Sequence, residues 1–221
     1  FFNNTFQVRP GEIVTINQKM DINKKNYYSF PEPTSEYKET NFEAVEKLDY
    51  ILSEVVRSQL VSDVSTGALL SGGIDSPLIC NYVQQESPKL ETFTIGSDNP
   101  EYDESKAAID YANYLGVINH LYIYSKKDLY NDLDNHFKAY SEPFGDYSSL
   151  LSFQVCKNAK STFTVVLGGD GGDEIFWGYP RFLRFVSHRS WYNLKMPSRL
   201  LFASICRKLG FNISYGISAN S

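Results

Sequence analysis

Only three cysteines occur in the 221 residues, Cys80, Cys156 and Cys206. Odd in number and far apart, they form neither a zinc-ligand spacing nor a disulfide framework, and a reducing cytoplasm is the expected compartment. The three histidines, His120, His136 and His188, are equally scattered, so no histidine-bound metal is expected. Positive charge is not in excess either. With 21 Lys and Arg against 26 Asp and Glu, the formal net charge is −5, and no nucleic-acid partner is expected. No apolar run approaches the ~18 residues of a membrane span, and no charged-then-apolar leader opens the chain, which argues against a membrane partner. The Gly-x-x-x-x-Gly-Lys-Ser/Thr loop of ordinary ATPases is missing, as is the Gly-x-Ser-x-Gly elbow of serine hydrolases. Internal repeats and low-complexity segments are lacking too. The chain starts on Phe1-Phe2 rather than on Met, so it reads as a piece of a longer protein.

What is present suits one sizeable globular core: 42% hydrophobic residues, 16 Tyr and 15 Phe. Thr5-Phe6-Gln7-Val8 and Glu12-Ile13-Val14-Thr15-Ile16 are β-prone runs about the turn signal Arg9-Pro10-Gly11, and Pro31-Glu32-Pro33 reads as a linker. Thr40-Asn41-Phe42-Glu43 resembles a capping box. It opens a helix to about Val61 whose stripe Phe42, Val45, Leu48, Ile51, Leu52, Val55, Val56 and Leu60 is expected to be core. From Ser65 strands and helices alternate. Strands are predicted at 66–70, 90–95, 120–124 and 163–167, and helices at 77–86, 103–115 (closed by Gly116), 126–140 and 147–160. The expected fold is α/β, a parallel sheet with helices on both faces, preceded by a short β segment. Residues 182–203 are read as helical with an interruption at Pro197, and 212–221 carry no structural signal.

Ser71-Gly72-Gly73-Ile74-Asp75-Ser76 lies between the apolar run Ala68-Leu69-Leu70 and a helix start at Pro77. A small-residue loop there aims backbone N–H groups and the positive end of a helix dipole at one point, which suits pyrophosphate. Ser71 and Ser76 add hydroxyls, and Asp75 can hold a divalent cation against phosphate oxygens. A second strand end, Val165-Val166-Leu167, runs into Gly168-Gly169-Asp170-Gly171-Gly172-Asp173-Glu174. Its three carboxylates repel one another unless a cation intervenes. If the two loops face each other across the carboxyl edge of the sheet, Asp75 and Asp173 share Mg²⁺ on a triphosphate. Phe93-Thr94-Ile95-Gly96 offers a strand end to a purine. Asp103 and Glu104 stand open between helix capping and a site role. Glu142 and Asp146 flank a Pro/Gly loop in which Ser148 is the helix-cap candidate.

Together these segments carry a resemblance. The first loop is similar to the PP-loop of ATP pyrophosphatases. Phe93–Gly96, Pro100-Glu101-Tyr102-Asp103-Glu104, Glu142-Pro143-Phe144-Gly145-Asp146 and Gly169–Arg181 resemble, in order, the synthetase domain of glutamine-hydrolysing asparagine synthetases. The similarity covers roughly residues 5–185. It implies an adenine nucleotide alpha hydrolase-like fold, with 1–33 ending a glutaminase domain and 34–221 forming part of a synthetase domain. By implication the substrates are ATP with Mg²⁺, aspartate or a similar carboxylate, and ammonia from glutamine, with a homodimer open for the full-length protein. Carried over by position, Ser71, Gly72, Gly73, Asp75 and Ser76 hold pyrophosphate, while Leu69, Ile95, Gly168 and Gly169 surround the nucleoside. Asp75 and Asp173 take the metal, and Asp170 deprotonates the attacking amine. Gly168 stands where the family usually has Ser, and Trp177 replaces a small residue at the substrate entrance. Amide formation on a sugar, peptide or β-amino acid therefore remains an alternative to asparagine. Other PP-loop reactions (nucleotide amination, NAD synthesis, tRNA modification) and a silent ATP-binding module are further readings. Without a glutaminase domain and the distal half of the synthetase domain, the piece alone is expected to turn over poorly.

Overall fold

The computed structural model describes residues 2–31, 39–140, 142, 144–146 and 148–188. The elements, in chain order, are β1 (Glu12–Ile16), β2 (Ile22–Asn26), α1 (Asn41–Gln59), β3 (Thr66–Leu69), α2 (Asp75–Glu86), β4 (Glu91–Ser97) and α3 (Ser105–Leu115). There follow β5 (Ile118–Tyr124), α4 (Lys126–Asn131), α5 (Leu133–Ala139), α6 (Ser148–Ala159), β6 (Val165–Leu167), α7 (Gly172–Phe176) and α8 (Pro180–Ser187). Four strands form one parallel sheet in the order β5-β4-β3-β6.

Both faces of that sheet are covered, and the alternation of side chains shows how. Ala68, Leu70, Leu90 and Leu167 join Val56, Cys80, Val83, Ala108 and Ala112 on the face packed by α1, α2 and α3. Leu69, Phe93, Ile95 and Val166 turn the other way, onto Val155 and Ala159 of α6 and onto Phe163. Strands buried on two sides read as continuous apolar runs, which is why the parallel sheet was visible in the sequence. Thr92 and Thr94 are polar exceptions inside it. Both hydroxyls donate to Asn119 Oδ1 at 3.0 Å, and the Thr94 hydroxyl also lies 2.8 Å from the Leu70 carbonyl. Among the described residues, no helix is long and apolar enough to cross a membrane.

Several expectations are corrected. Thr5–Val8 forms no strand; β1 pairs antiparallel with β2, whose sequence Ile-Asn-Lys-Lys-Asn is too polar to announce itself. The capping box at Thr40 and Glu43 is present, with the Glu43 N–H donating to Thr40 Oγ1 and the Thr40 N–H to Glu43 Oε2. The α1 stripe, however, is only half core. Val56 is buried and Leu52 and Leu60 pack against it, but Phe42 and Val45 are 70% and 65% exposed, because α1 packs chiefly on α2. The helix expected over 126–140 is two helices, α4 and α5, meeting at Asp132. Asp103, one residue before the N-cap of α3, accepts from the Ser97 and Ser105 N–H groups and the Ser105 hydroxyl; the Ser105 bond leads in holding its carboxyl below the ordinary range. Glu104 occupies the N-cap position of α3 without a side-chain capping bond. At α6 the capper is Asp146, which accepts from the Ser148 N–H and hydroxyl, rather than Ser148 itself. Of the region expected to be helical over 182–203, residues up to 187 belong to α8; 189 onward, with Cys206, lie outside the described residues, as do 32–38.

Asp132 does more than break a helix. Its carboxylate accepts from Lys157 Nζ and, at 2.7 Å, from Nε2 of the fully buried Gln154, tying α6 to the α4–α5 junction. Lys157 first, then Gln154, keep the Asp132 carboxyl below the ordinary range. A depressed folded-state value means that this contribution to stability is present above the unfolded carboxylate pKa, about 3.9. It is lost as pH falls from there through the lower folded value. Asp132→Ala strands the Gln154 amide in the interior and should cost about 1–3 kcal/mol in urea unfolding at neutral pH. The difference from the unsubstituted protein should shrink below about pH 4.

Candidate active site

The strand order creates the site. From β3 the chain adds β4 and β5 on one side, then returns to lay β6 on the other, with Ala68 opposite Leu167. A crevice opens at the carboxyl ends of strands where the direction of winding reverses. The two glycine loops leave those two strands and therefore meet.

They meet at backbone distance. A Cβ on Gly169 would stand 2.7 Å from the Ser76 amide nitrogen and 2.8 Å from Asp75 Cβ. One on Gly172 would stand 2.6 Å from Asp75 Cγ. Any side chain there would push the loops apart, so the Asp75 carboxyl lies directly against the residue preceding Asp173.

The first loop closes on itself. Ser76, buried at the start of α2, accepts the Ser71 N–H at 2.8 Å, and the two hydroxyls are also 2.8 Å apart. One proton serves that hydroxyl pair, so one O–H remains to donate outward. Ser71 Oγ additionally accepts the Gly73 N–H at 3.3 Å. The helix begins at Asp75, two residues earlier than expected, which places Pro77 in its first turn, where a missing N–H costs no helical bond.

Above the loops lies a cleft of about 570 Å³. Of the residues proposed from sequence, Leu69, Ser71, Gly73, Asp75, Ser76, Ile95, Gly168, Gly169, Asp170 and Asp173 all line it. Gly72 does not. It faces α3, where a Cβ would meet Glu104 Cβ at 3.0 Å and Ala107 Cβ at 3.1 Å. Gly168 lies beside Asp170, whose Oδ2 would be 3.0 Å from a Cβ at that position. Trp177, expected at the substrate entrance, is exposed in a left-handed conformation (φ 60°) and packs on Phe182 at a ring separation of 5.3 Å.

Sequence reasoning missed two parts of the wall. Tyr179 lines the cleft and donates to Glu174 Oε1 at 2.7 Å. That bond holds the Glu174 carboxyl below its ordinary value and raises the Tyr179 phenol, and the Arg181 guanidinium covers the Tyr179 ring at 4.1 Å. One face of α6, Ser148, Leu151, Ser152, Val155 and Cys156, also lines the cleft. Its signal was available as a spacing of three and four residues, but periodicity does not say which partner a helix face meets.

The histidines are held by protein groups. His120 Nε2 is 2.6 Å from Glu91, the buried His136 Nε2 is 2.9 Å from Ser149 Oγ, and His188 Nδ1 lies 2.8 Å from the Arg184 carbonyl. Among the described residues, no three His, Cys, Asp or Glu side chains converge as a complete metal cage. Asp75 and Asp173 both line the cleft, and a pair of carboxylates has the chemistry to hold a hard dication that takes its other oxygens from substrate and water.

A sequence model of the asparagine synthase family matches residues 47–215, well over half of the chain. The chain belongs to the asparagine synthase family. It is 32% identical over 206 residues to the putative asparagine synthetase (glutamine-hydrolyzing) 2 of Methanocaldococcus jannaschii, covering 85% of this chain and 39% of that protein. It is 32% identical over 176 residues to asparagine synthetase (glutamine-hydrolyzing) 1 of Bacillus subtilis, covering 78% of this chain and 27% of that one. The chain thus spans well under half the length of these curated relatives. Among solved structures, the NH3-dependent NAD synthetase of Campylobacter jejuni superposes with a TM-score of 0.42 at 16% identity over 61% of this chain and 60% of that one, a likeness too distant to add anything. In this asparagine synthase family member, the cleft between β3, β6 and α6 contains ten of the residues singled out from sequence.

Proposed function

We propose that this cleft is the ATP site of an asparagine-forming ligase, and that the full-length protein joins ammonia derived from glutamine to the side-chain carboxylate of aspartate. The observation that supports this most directly is the backbone contact between the two glycine loops, with Asp75 pressed against Gly172 beside Asp173. The base slots onto Leu69 and Ile95 on the α6 face of the sheet, and the phosphates lie along Ser71–Ser76 at the start of α2. There the two helical N–H groups ahead of Pro77 and the free hydroxyl proton of the Ser71–Ser76 pair donate to phosphate oxygens. Asp75 and Asp173 would hold Mg²⁺, which supplies charge neutralisation to the departing pyrophosphate.

In the first step a carboxylate oxygen of the acceptor attacks the α-phosphorus, and the bond to the β-phosphate breaks in line, releasing pyrophosphate. In the second, the ammonia lone pair attacks the acyl carbon and the C–O bond to AMP breaks. The surplus ammonium proton passes to a base, a role that we assign to Asp170, which lines the cleft.

The test of the site is calorimetric: the 221-residue chain should bind ATP with Mg²⁺ at one site, and GTP at least about tenfold more weakly. The test of the reaction uses the full-length protein with ATP, glutamine and aspartate, in which asparagine, AMP and pyrophosphate should appear in equal amounts. ATP consumption without asparagine would reject the aspartate assignment while keeping the nucleotide site.

A further inference from the structure

The face of α6 in the cleft combines two apolar and three polar side chains. Ser148, Leu151, Ser152, Val155 and Cys156 are spaced i, i+3, i+4, i+7 and i+8, a single stripe of the helix. Val155 packs against the same Phe93 cluster as Leu69 and Ile95, so this stripe lies on the face of the sheet onto which the base is proposed to rest and lines the same cleft. Away from that stripe and at its margin, α6 is pinned. Ser149 donates to the Asp146 carbonyl and pairs with His136, and Gln154 and Lys157 both donate to Asp132. A helix anchored in this way presents its cleft stripe as a fixed wall. On it, the Ser148 side chain is committed to Asp146, whereas the side chains of Ser152 and Cys156 show no hydrogen bond among the described residues and both residues are exposed in the cleft wall.

We infer that α6 is the nucleoside-recognising wall of the ATP site, with Ser152 hydrogen-bonding the nucleoside and Cys156 covered by it. This rests on the cleft being the nucleotide site. It adds an element, a donor and a thiol outside the two glycine loops, and it assigns an end: the phosphates lie at Ser71–Ser76 and the nucleoside lies along α6.

Cys156 makes the inference measurable without altering the protein. Cys80 is fully buried and its thiol is pushed up to about 12 by burial, so it is slow to alkylate. Labelling with iodoacetamide, quantified by mass spectrometry of the peptide containing Cys156, should therefore report on the cleft. ATP with Mg²⁺ at saturation is expected to slow labelling at Cys156 by at least about tenfold, and inorganic pyrophosphate with Mg²⁺ by less than about twofold. Ser152→Ala should weaken ATP about fivefold and leave pyrophosphate affinity unchanged, the size expected of one neutral hydrogen bond. ATP that binds by calorimetry yet leaves Cys156 as reactive as before would overturn the inference and spare the ATP site. Equal protection by pyrophosphate and ATP would overturn the assignment of ends. Absence of ATP binding by calorimetry would remove the nucleotide site and this inference with it.

Discussion

Gly169→Ala is expected to abolish measurable ATP binding and to lower stability by about 1–3 kcal/mol, the usual cost of forcing a methyl group into a packed site. The added Cβ would lie 2.7 Å from the Ser76 nitrogen and 2.8 Å from the Asp75 carbonyl carbon and Cβ. Two of those three atoms are backbone at the first turn of α2, so no side-chain rotation relieves the clash. One loop has to leave the other, and the cradle opens where phosphate is expected. Gly73→Ala is the matched control. Its Cβ would meet only Ser71 Oγ, at 3.5 Å, an ordinary contact. That variant should melt with the unsubstituted protein, and any loss of ATP affinity in it reports crowding of the ligand rather than of the fold. Thermal melts alongside calorimetry separate the two effects. Full ATP affinity in a folded Gly169→Ala protein would contradict a site built on contact between the loops.

The second large effect concerns the carboxylates. Asp75→Asn and Asp173→Asn should each weaken ATP binding in Mg²⁺ by at least about tenfold, since each removes one anionic oxygen donor from a hard dication. The informative quantity is the double variant. If both acids grip one ion, the second substitution finds little left to lose, and the coupling should reach about 1.4 kcal/mol or more. Fully additive losses would mean two separate roles. Repeating the titrations with EDTA supplies the baseline, where all four proteins should converge on the same weak affinity.

Much of this is legible in the sequence. The strands at 66–70 and 163–167, the helix ending at Gly116 with φ 68°, and the Thr40 capping box follow from local rules and are in place to within two residues at most boundaries. The failures share a cause. β2 is a strand because β1 pairs with it, although Ile-Asn-Lys-Lys-Asn carries no apolar alternation. Phe42 and Val45 continue a helical stripe flawlessly, yet among the described residues they stay exposed, because α1 packs chiefly on α2 further along. The break between α4 and α5 falls at Asp132, whose carboxylate is claimed by Gln154 and Lys157 from more than twenty residues away. Ser148 looked like the cap of α6, but two residues upstream Asp146 offers the stronger, anionic acceptor.

By itself the sequence determined the strand–loop–helix units, their glycine-rich junctions and the acids within them, because those depend on backbone freedom, capping and periodicity over a few residues. Only the tertiary structure decided that β6 lies beside β3. That pairing is non-local, and it brings Gly172 against Asp75, while the packing of α3 and α6 on β4 sets Gly72 against α3 and the Ser152–Cys156 face of α6 in the same cleft. Strand order in a parallel sheet is chosen by burial of both faces at once, a condition that no single segment carries in its own residues.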